Sequence, residues 1–312
     1  MGSRCSLRKR VINTATSIGT AALSSLLLLG AAGCDKKSGP TEGQQPATNA
    51  PAQAAAVSSR AEASLRIHWI GKQHIEADTN AAYLTSIWKA PESQKLEAEV
   101  LDKLSVAPWR VNSTNLEESL LAHPASRLFR PLLGDLLNDE FYLELTPRTN
   151  GPAEASLALR IAGAQAGVWK ANLLAALEEL GGREDGAPPA GIDWRVAMTN
   201  PSLRDVTFQL AHAGDWTIVS AGPEENTLFM EMLHRAQTEG APWSRINSWR
   251  ITGANGNPVP AAKPEPTDPW LQLRADLADF PIFSNALPLL AGNIPRIEIS
   301  VTGDGKNVRS HA

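Results

Sequence analysis

The chain has 312 residues, 43% of them hydrophobic and 20% charged, at a formal charge of −4. That composition is globular, which excludes a wholly disordered or fibrous chain, and without a basic excess it does not point to nucleic acid as a partner. Two cysteines exclude a disulfide framework and a Cys-rich metal cluster.

The first segment reads as an address. Arg4, Arg8, Lys9 and Arg10 precede an apolar stretch that is densest from Ala21 to Ala32, and no acidic residue interrupts them. A bilayer crossing needs about 20 apolar residues, more than this stretch provides. A positive start, a short apolar run and small residues at its end predict a secretory signal peptide over residues 1–33.

The run closes Leu28-Leu29-Gly30-Ala31-Ala32-Gly33-Cys34. This ending resembles the lipobox of the bacterial lipoprotein class, in which an aliphatic residue and two small residues precede a cysteine that receives diacylglycerol. Ala32, Gly33 and Cys34 match that pattern, and Ala31 stands where Leu is usual. The resemblance implies cleavage between Gly33 and Cys34, lipidation of Cys34, and a membrane partner held through the N-terminal lipid. It also implies an exported, periplasm-facing protein of the cell envelope. Asp35, directly after the cysteine, resembles the signal that retains some Gram-negative lipoproteins in the inner membrane. Removing 33 residues and their four positive charges would leave 279 residues at −8, with Cys34 as the one cysteine.

Residues 34–64 read as a disordered tether rich in Ala, Pro and Gln. Pro40, Pro46 and Pro51 block helix propagation, and large apolar residues are scarce. A globular region is expected over 65–302. Leu65, Ile67 and Trp69 alternate as a half-buried strand, followed by a short helix over 81–88 and another from Pro91 through Leu104. His74, Glu76 and Asp78 alternate as if along one strand face. Helices are expected over 116–121 and 125–138.

The period then changes to two. Phe141, Leu143 and Leu145 alternate, Gly151-Pro152 marks a turn, and Leu157, Leu159 and Ile161 alternate again, which predicts an antiparallel pair. A helix over 164–180 carries Trp169, Leu173, Leu177 and Leu180 as its stripe and stops at Gly181-Gly182. A second round repeats the order: strands at Trp194–Met198, Val206–Leu210 and Trp216–Ser220, then a helix opened by Pro223. Residues 253–269 read as a loop. A third, shorter round predicts a strand over 271–277, a helix near 282–291 and a strand over 296–302. Residues 303–312 then form a turn and tail, leaving either a very short partner strand or a sequence that continues.

Strands in runs, each run closed by a helix, predict an α+β fold: antiparallel sheet with helices packed on one face. Ala-Pro-Trp recurs at 107–109 and 241–243, which suggests two related halves, 65–182 and 190–302. This order loosely resembles that of uncharacterised secreted bacterial families, and no functional residue carries over from it.

The search for chemistry finds no catalytic constellation. Among His68, His74, His123, His212, His234 and His311 no two stand four apart, as a helical zinc pair requires. Ser86-Ile87-Trp88-Lys89 fits the Ser-x-x-Lys spacing of penicillin-recognising enzymes, but the companion Ser-Asp-Asn and Lys-Thr-Gly triplets are missing. Gly303-Asp304-Gly305-Lys306 is too short for a phosphate loop. No catalytic residue, metal ligand or cofactor is assigned. Trp69, Trp169, Trp194 and Trp216 fall in buried phases. Trp109, Trp243, Trp249 and Trp270 fall near breaks, where they would form a stacking platform for glycan or lipid. The leading expectation is a non-catalytic, membrane-tethered binding or scaffolding module. The alternatives are a periplasmic carrier of a hydrophobic ligand such as lipid and an enzyme acting on cell wall or glycan.

Overall fold

In a computed structural model of the chain, the described residues are 63–107, 124–148, 151–199, 203, 205–243, 269–280 and 296–311. The alternating segments become strands: β1 (Leu65–Trp69), β2 (Phe141–Thr146), β3 (Glu154–Leu159), β4 (Gly182–Glu184), β5 (Trp194–Met198), β6 (Thr207–Ala213), β7 (Trp216–Gly222), β8 (Leu271–Asp276), β9 (Arg296–Gly303) and β10 (Val308–His311). They form one sheet in the order β10-β9-β8-β1-β2-β3-β7-β6-β5-β4. Every neighbouring pair is antiparallel. The expected β2–β3 hairpin is present, with Leu143 opposite Leu157.

Among the described residues six α-helices accompany the sheet: α1 (Lys72–Ala77), α2 (Ala82–Trp88), α3 (Pro91–Ser105), α4 (Pro124–Asn138), α5 (Gly163–Glu179) and α6 (Thr227–Glu239). The larger core lies under α1–α5. There the alternate residues Phe141, Leu143, Leu157, Leu159, Val196, Phe208 and Val219 meet Leu132, Leu133, Trp169, Leu173 and Leu177 from the helices. Each fully buried large apolar side chain contributes about 1.5–3 kcal/mol, so this face carries most of the hydrophobic stabilisation.

The mixed α+β class stands, with one difference in the layers. Helix α6 lies on the opposite face, where Phe229, Met232, Leu233 and Ala236 pack on Tyr142, Ala158, Ala211, Trp216 and Ile218. An apolar stripe does not say which face of a sheet it will cover. The consequence is a sheet centre covered on both sides: β3 and β7 are buried along their whole length.

Asn226, not Pro223, starts α6. Its side-chain oxygen accepts from the Phe229 amide at 3.0 Å, and Gly240 ends the helix at φ 72°. From β3 the carboxylate of Glu154 reaches the same helix end. It accepts from Thr227 N at 2.8 Å, Thr227 Oγ1 at 2.7 Å and Leu228 N at 3.2 Å, and pairs with Arg148 through its other oxygen. Burial raises the Glu154 pKa, but the Thr227, Arg148 and Leu228 contacts outweigh it, and the net shift is downward.

Other expectations shift by a few residues or change type. The folded body reaches back to Ala63 and Ser64, placed in the tether by the sequence: both are buried, and Ser64 Oγ donates to Asp279 Oδ2 at 2.7 Å. Residues 72–77 form a helix, so His74, Glu76 and Asp78 share no strand face. With Ile75 as its one buried residue, α1 offers no periodic stripe to read. The turn after β9 returns as a hairpin into the four-residue β10 at the sheet edge. In that turn Asp304 accepts from the Asn307 and Lys306 amides, which hold its carboxyl at about 2. The helices expected over 116–121 and 282–291 and the loop after residue 253 fall outside the described residues, apart from the loop's last residue, Pro269. So do residues 1–62, including Cys34.

The two proposed halves do not form separate bodies. The first round, β1-β2-β3-α5, sends β4 to pair with β5; the second, β5-β6-β7-α6, sends β8 to pair with β1. The rounds meet at the antiparallel β3–β7 pair, and each adds its last strand beyond the other's first. The strand layout matches between rounds. The helices do not, since α5 and α6 lie on opposite faces.

Candidate functional site

The face that carries α6 is also the polar face of the sheet. Antiparallel register places Glu298, Arg274, Arg66, Glu144, Ser156, Ser220, Gln209 and Arg195 opposite one another, one from each of eight strands. In sequence each but Ser220, which shares its phase with Trp216 and Ile218, belongs to the polar phase of its own strand. Pairing assembles them into a single line across the molecule.

The centre of that line is buried. Arg235 of α6 donates through Nη2 to Glu144 Oε2 at 2.7 Å and through Nε to Pro242 O at 2.6 Å. Tyr142 donates its hydroxyl to Glu144 Oε1 at 2.8 Å, and Arg66 Nε lies 3.5 Å from the same oxygen. Glu144 and Arg235 are 2% and 5% exposed, so this is an ion pair held under a helix. Burial and the Glu144 carboxylate together push the Tyr142 phenol well above its ordinary value, so it stays a donor. Arg66 stands directly opposite Arg274. Each cation is flanked on its other side by a carboxylate, Glu144 for Arg66 and Glu298, at 3.8 Å, for Arg274.

Two residues further along β1, on the same face, His68 Nε2 lies 3.0 Å from Glu140 Oε1. Glu140 Oε2 accepts from Arg160 Nη1 at 3.0 Å. Burial raises the Glu140 pKa, but the His68 and Arg160 contacts outweigh it and leave it lowered. Trp243 lies over this group, its ring centroid 4.4 Å from that of His68 at an interplanar angle of 35°. It also makes edge contacts with Trp216 at 5.4 Å and Tyr142 at 6.0 Å, and the Arg160 guanidinium stands 5.9 Å from the Trp216 ring.

The stacking platform is therefore not the one predicted. Trp243 is half-buried in this aromatic cluster. Trp270 is 1% exposed in the core of the opposite face, its indole N–H donating to Asp78 Oδ2 at 2.9 Å. The two share no surface, and Trp109 and Trp249 lie outside the described residues. Trp216, read as a core residue, is buried in the smaller core as expected, and Trp243 packs against it.

The Ser-x-x-Lys pair lies at a shallow groove of about 400 Å³, lined also by Glu76, Asp78, Thr79 and Thr85. Ser86 and Lys89 are both exposed, and the Ser86 hydroxyl donates to Tyr83 O at 2.7 Å. Among the described residues no group of three His, Cys, Asp or Glu side chains is arranged to hold a metal ion. No described helix is long and apolar enough to cross a membrane.

Sequence reasoning missed the buried charges. Strand alternation assigns Arg66, His68 and Glu144 to solvent, and only the long-range pairing buries them. One signal was present: Arg235 flanks the apolar stripe, next to Leu228 and Met232 on the helix surface. Comparison with protein-family models, with curated proteins and with solved structures finds no match.

Proposed function

We propose that the chain is an exported, lipid-anchored protein of the bacterial envelope whose α+β body is a non-catalytic binding or scaffolding module. The observation that carries this reading is Ala32-Gly33-Cys34 at the end of a short apolar run behind an Arg-rich start. Cys34 bears the lipid, and residues 35–62 tether a body that begins at Ala63. Two or three acyl chains anchor firmly where one chain holds only marginally. The body's chemistry agrees with a binding role. The buried carboxylates Glu140, Glu144 and Glu154 each already accept from cations or hydroxyls, an arrangement that fixes structure. Of the two described members of the predicted tryptophan set, Trp270 is buried and Trp243, half-buried above His68, is the better placed to touch a partner in the periplasm.

Metabolic palmitate labelling tests the anchor. Wild type is expected to incorporate label and Cys34→Ala none. Label on both proteins, or on neither, overturns the reading.

A further inference from the structure

We infer that His68 is a proton-operated clamp, which tightens the Gly240–Trp243 turn against the polar face of the sheet as the pH falls. The geometry joins three parts. His68 projects from β1 with one ring nitrogen at the Glu140 carboxylate, 3.0 Å away. Its ring lies under the Trp243 indole at 4.4 Å, tilted by 35°. The turn that carries Trp243 is tied to α6 and β2 through Pro242 O, Arg235 and Glu144.

A proton on the imidazole changes two of these contacts in the same sense. Neutral His68 offers Glu140 one hydrogen bond; the imidazolium adds a charge pair at the same atoms. The neutral ring meets Trp243 by dispersion alone, whereas a cation over an indole face is attracted by the ring quadrupole. Both gains arrive with the same proton.

The charged surroundings do not cancel the effect. From β2 and its start, Glu140, Tyr142 and Glu144 face this region; from the end of β3, Arg160; from β8, Arg274, with Gln272 directly opposite His68; from α6, Arg235; and from β1 itself, Arg66. Arg66, Arg235 and Tyr142 converge on Glu144, Glu231 lies 3.9 Å from Arg235, and Arg274 lies beside Glu298, so each of these cations already faces a carboxylate. Arg160 shares Glu140 with His68 through the other oxygen. The Glu140 carboxyl is held below its ordinary range and remains the anion throughout the histidine titration. The clamp does not depend on lipidation or export, and it works or fails independently of them.

The experiment measures hydrogen exchange at residues 240–243 in the intact chain between about pH 8 and about pH 5. After correction for intrinsic exchange rates, protection is expected to rise about two- to five-fold on acidification. In His68→Gln protection should be independent of pH. In His212→Gln, which alters the histidine paired with Asp193, the rise should persist. A flat wild-type profile, or a rise that survives in His68→Gln, overturns the clamp. Should His68→Gln fail to fold, nuclear magnetic resonance of wild type decides. The Trp243 indole and His68 imidazole signals should share one titration midpoint, and separate midpoints refute the coupling.

Discussion

Removing the Glu154 carboxylate should uncouple α6 from the sheet. One oxygen serves Thr227 N, Thr227 Oγ1 and Leu228 N, and the other pairs with Arg148. A buried charge-assisted hydrogen bond is worth about 1.5–3 kcal/mol, and a carboxylate at a helix N-terminus up to about 2 kcal/mol. These overlap, because the same oxygen supplies both. Asn226 continues to cap Phe229 N, so the helix end is not left bare. Glu154→Ala is therefore expected to cost about 3 kcal/mol, or about 6–12 °C in Tm for a body of this size. Glu154→Gln should cost less, since its amide oxygen still accepts from Thr227. The pH dependence has a fixed sign. The folded-state pKa is lowered, so the contribution is fully present above the unfolded glutamate value near about 4.3 and is lost as pH falls through the lower folded value. Urea unfolding of wild type and Glu154→Gln should thus differ by a constant amount near neutrality and converge in acid. A cost for Glu154→Ala below about 1 kcal/mol at neutral pH, or a wild-type to Glu154→Gln gap unchanged at the lowest pH, would refute the reasoning.

Two further substitutions probe other joints. Glu144→Gln strands Arg235 under α6 and weakens Arg66, and should cost about 3–5 kcal/mol in urea unfolding. Arg235→Met should cost less, because Glu144 keeps Arg66 and Tyr142; the reverse order would mean the carboxylate is not the hub. Gly303→Ala places a methyl group in the Trp270 ring and 2.6 Å from Asn80 O. Overpacking there should cost about 3 kcal/mol, seen as a lower urea midpoint at unchanged slope.

What the sequence shows of this fold depends on how local the signal is. The β2–β3 pair was legible because both strands alternate and a Gly-Pro turn joins them, and α5 because its apolar stripe has helical period over 17 residues. Strand β4 was missed since three residues, Gly182–Glu184, carry no period, and α1 since a single buried Ile75 cannot define one. The side of the sheet that α6 covers was not legible at all. Its apolar stripe would suit either face, and the choice is made by Tyr142, Ala158 and Ile218, which lie on other strands. The candidate site suffers most. His68 and Trp243 are 175 positions apart in the chain, and their contact exists only after β1, β2 and α6 have assembled.

The charged line across the sheet has a reason in register. Shifting β1 by one residue against β2 would turn Arg66 and His68 into the apolar face and Ile67 out of it, which hydrophobicity alone forbids. A shift of two residues keeps every apolar side chain on its proper face, so hydrophobicity does not forbid it. It would, however, set Arg66 opposite Tyr142 or Thr146 instead of Glu144, and would leave Glu144 with one partner fewer under α6. A buried charge that loses its partner costs several kcal/mol, more than most single apolar contacts return. The same argument applies at β8–β9, where the buried Arg274 meets Glu298. Apolar alternation thus selects the face, and the buried ion pairs select the register. That division explains why a ten-stranded sheet with two interchanged end strands places expensive charges at its centre.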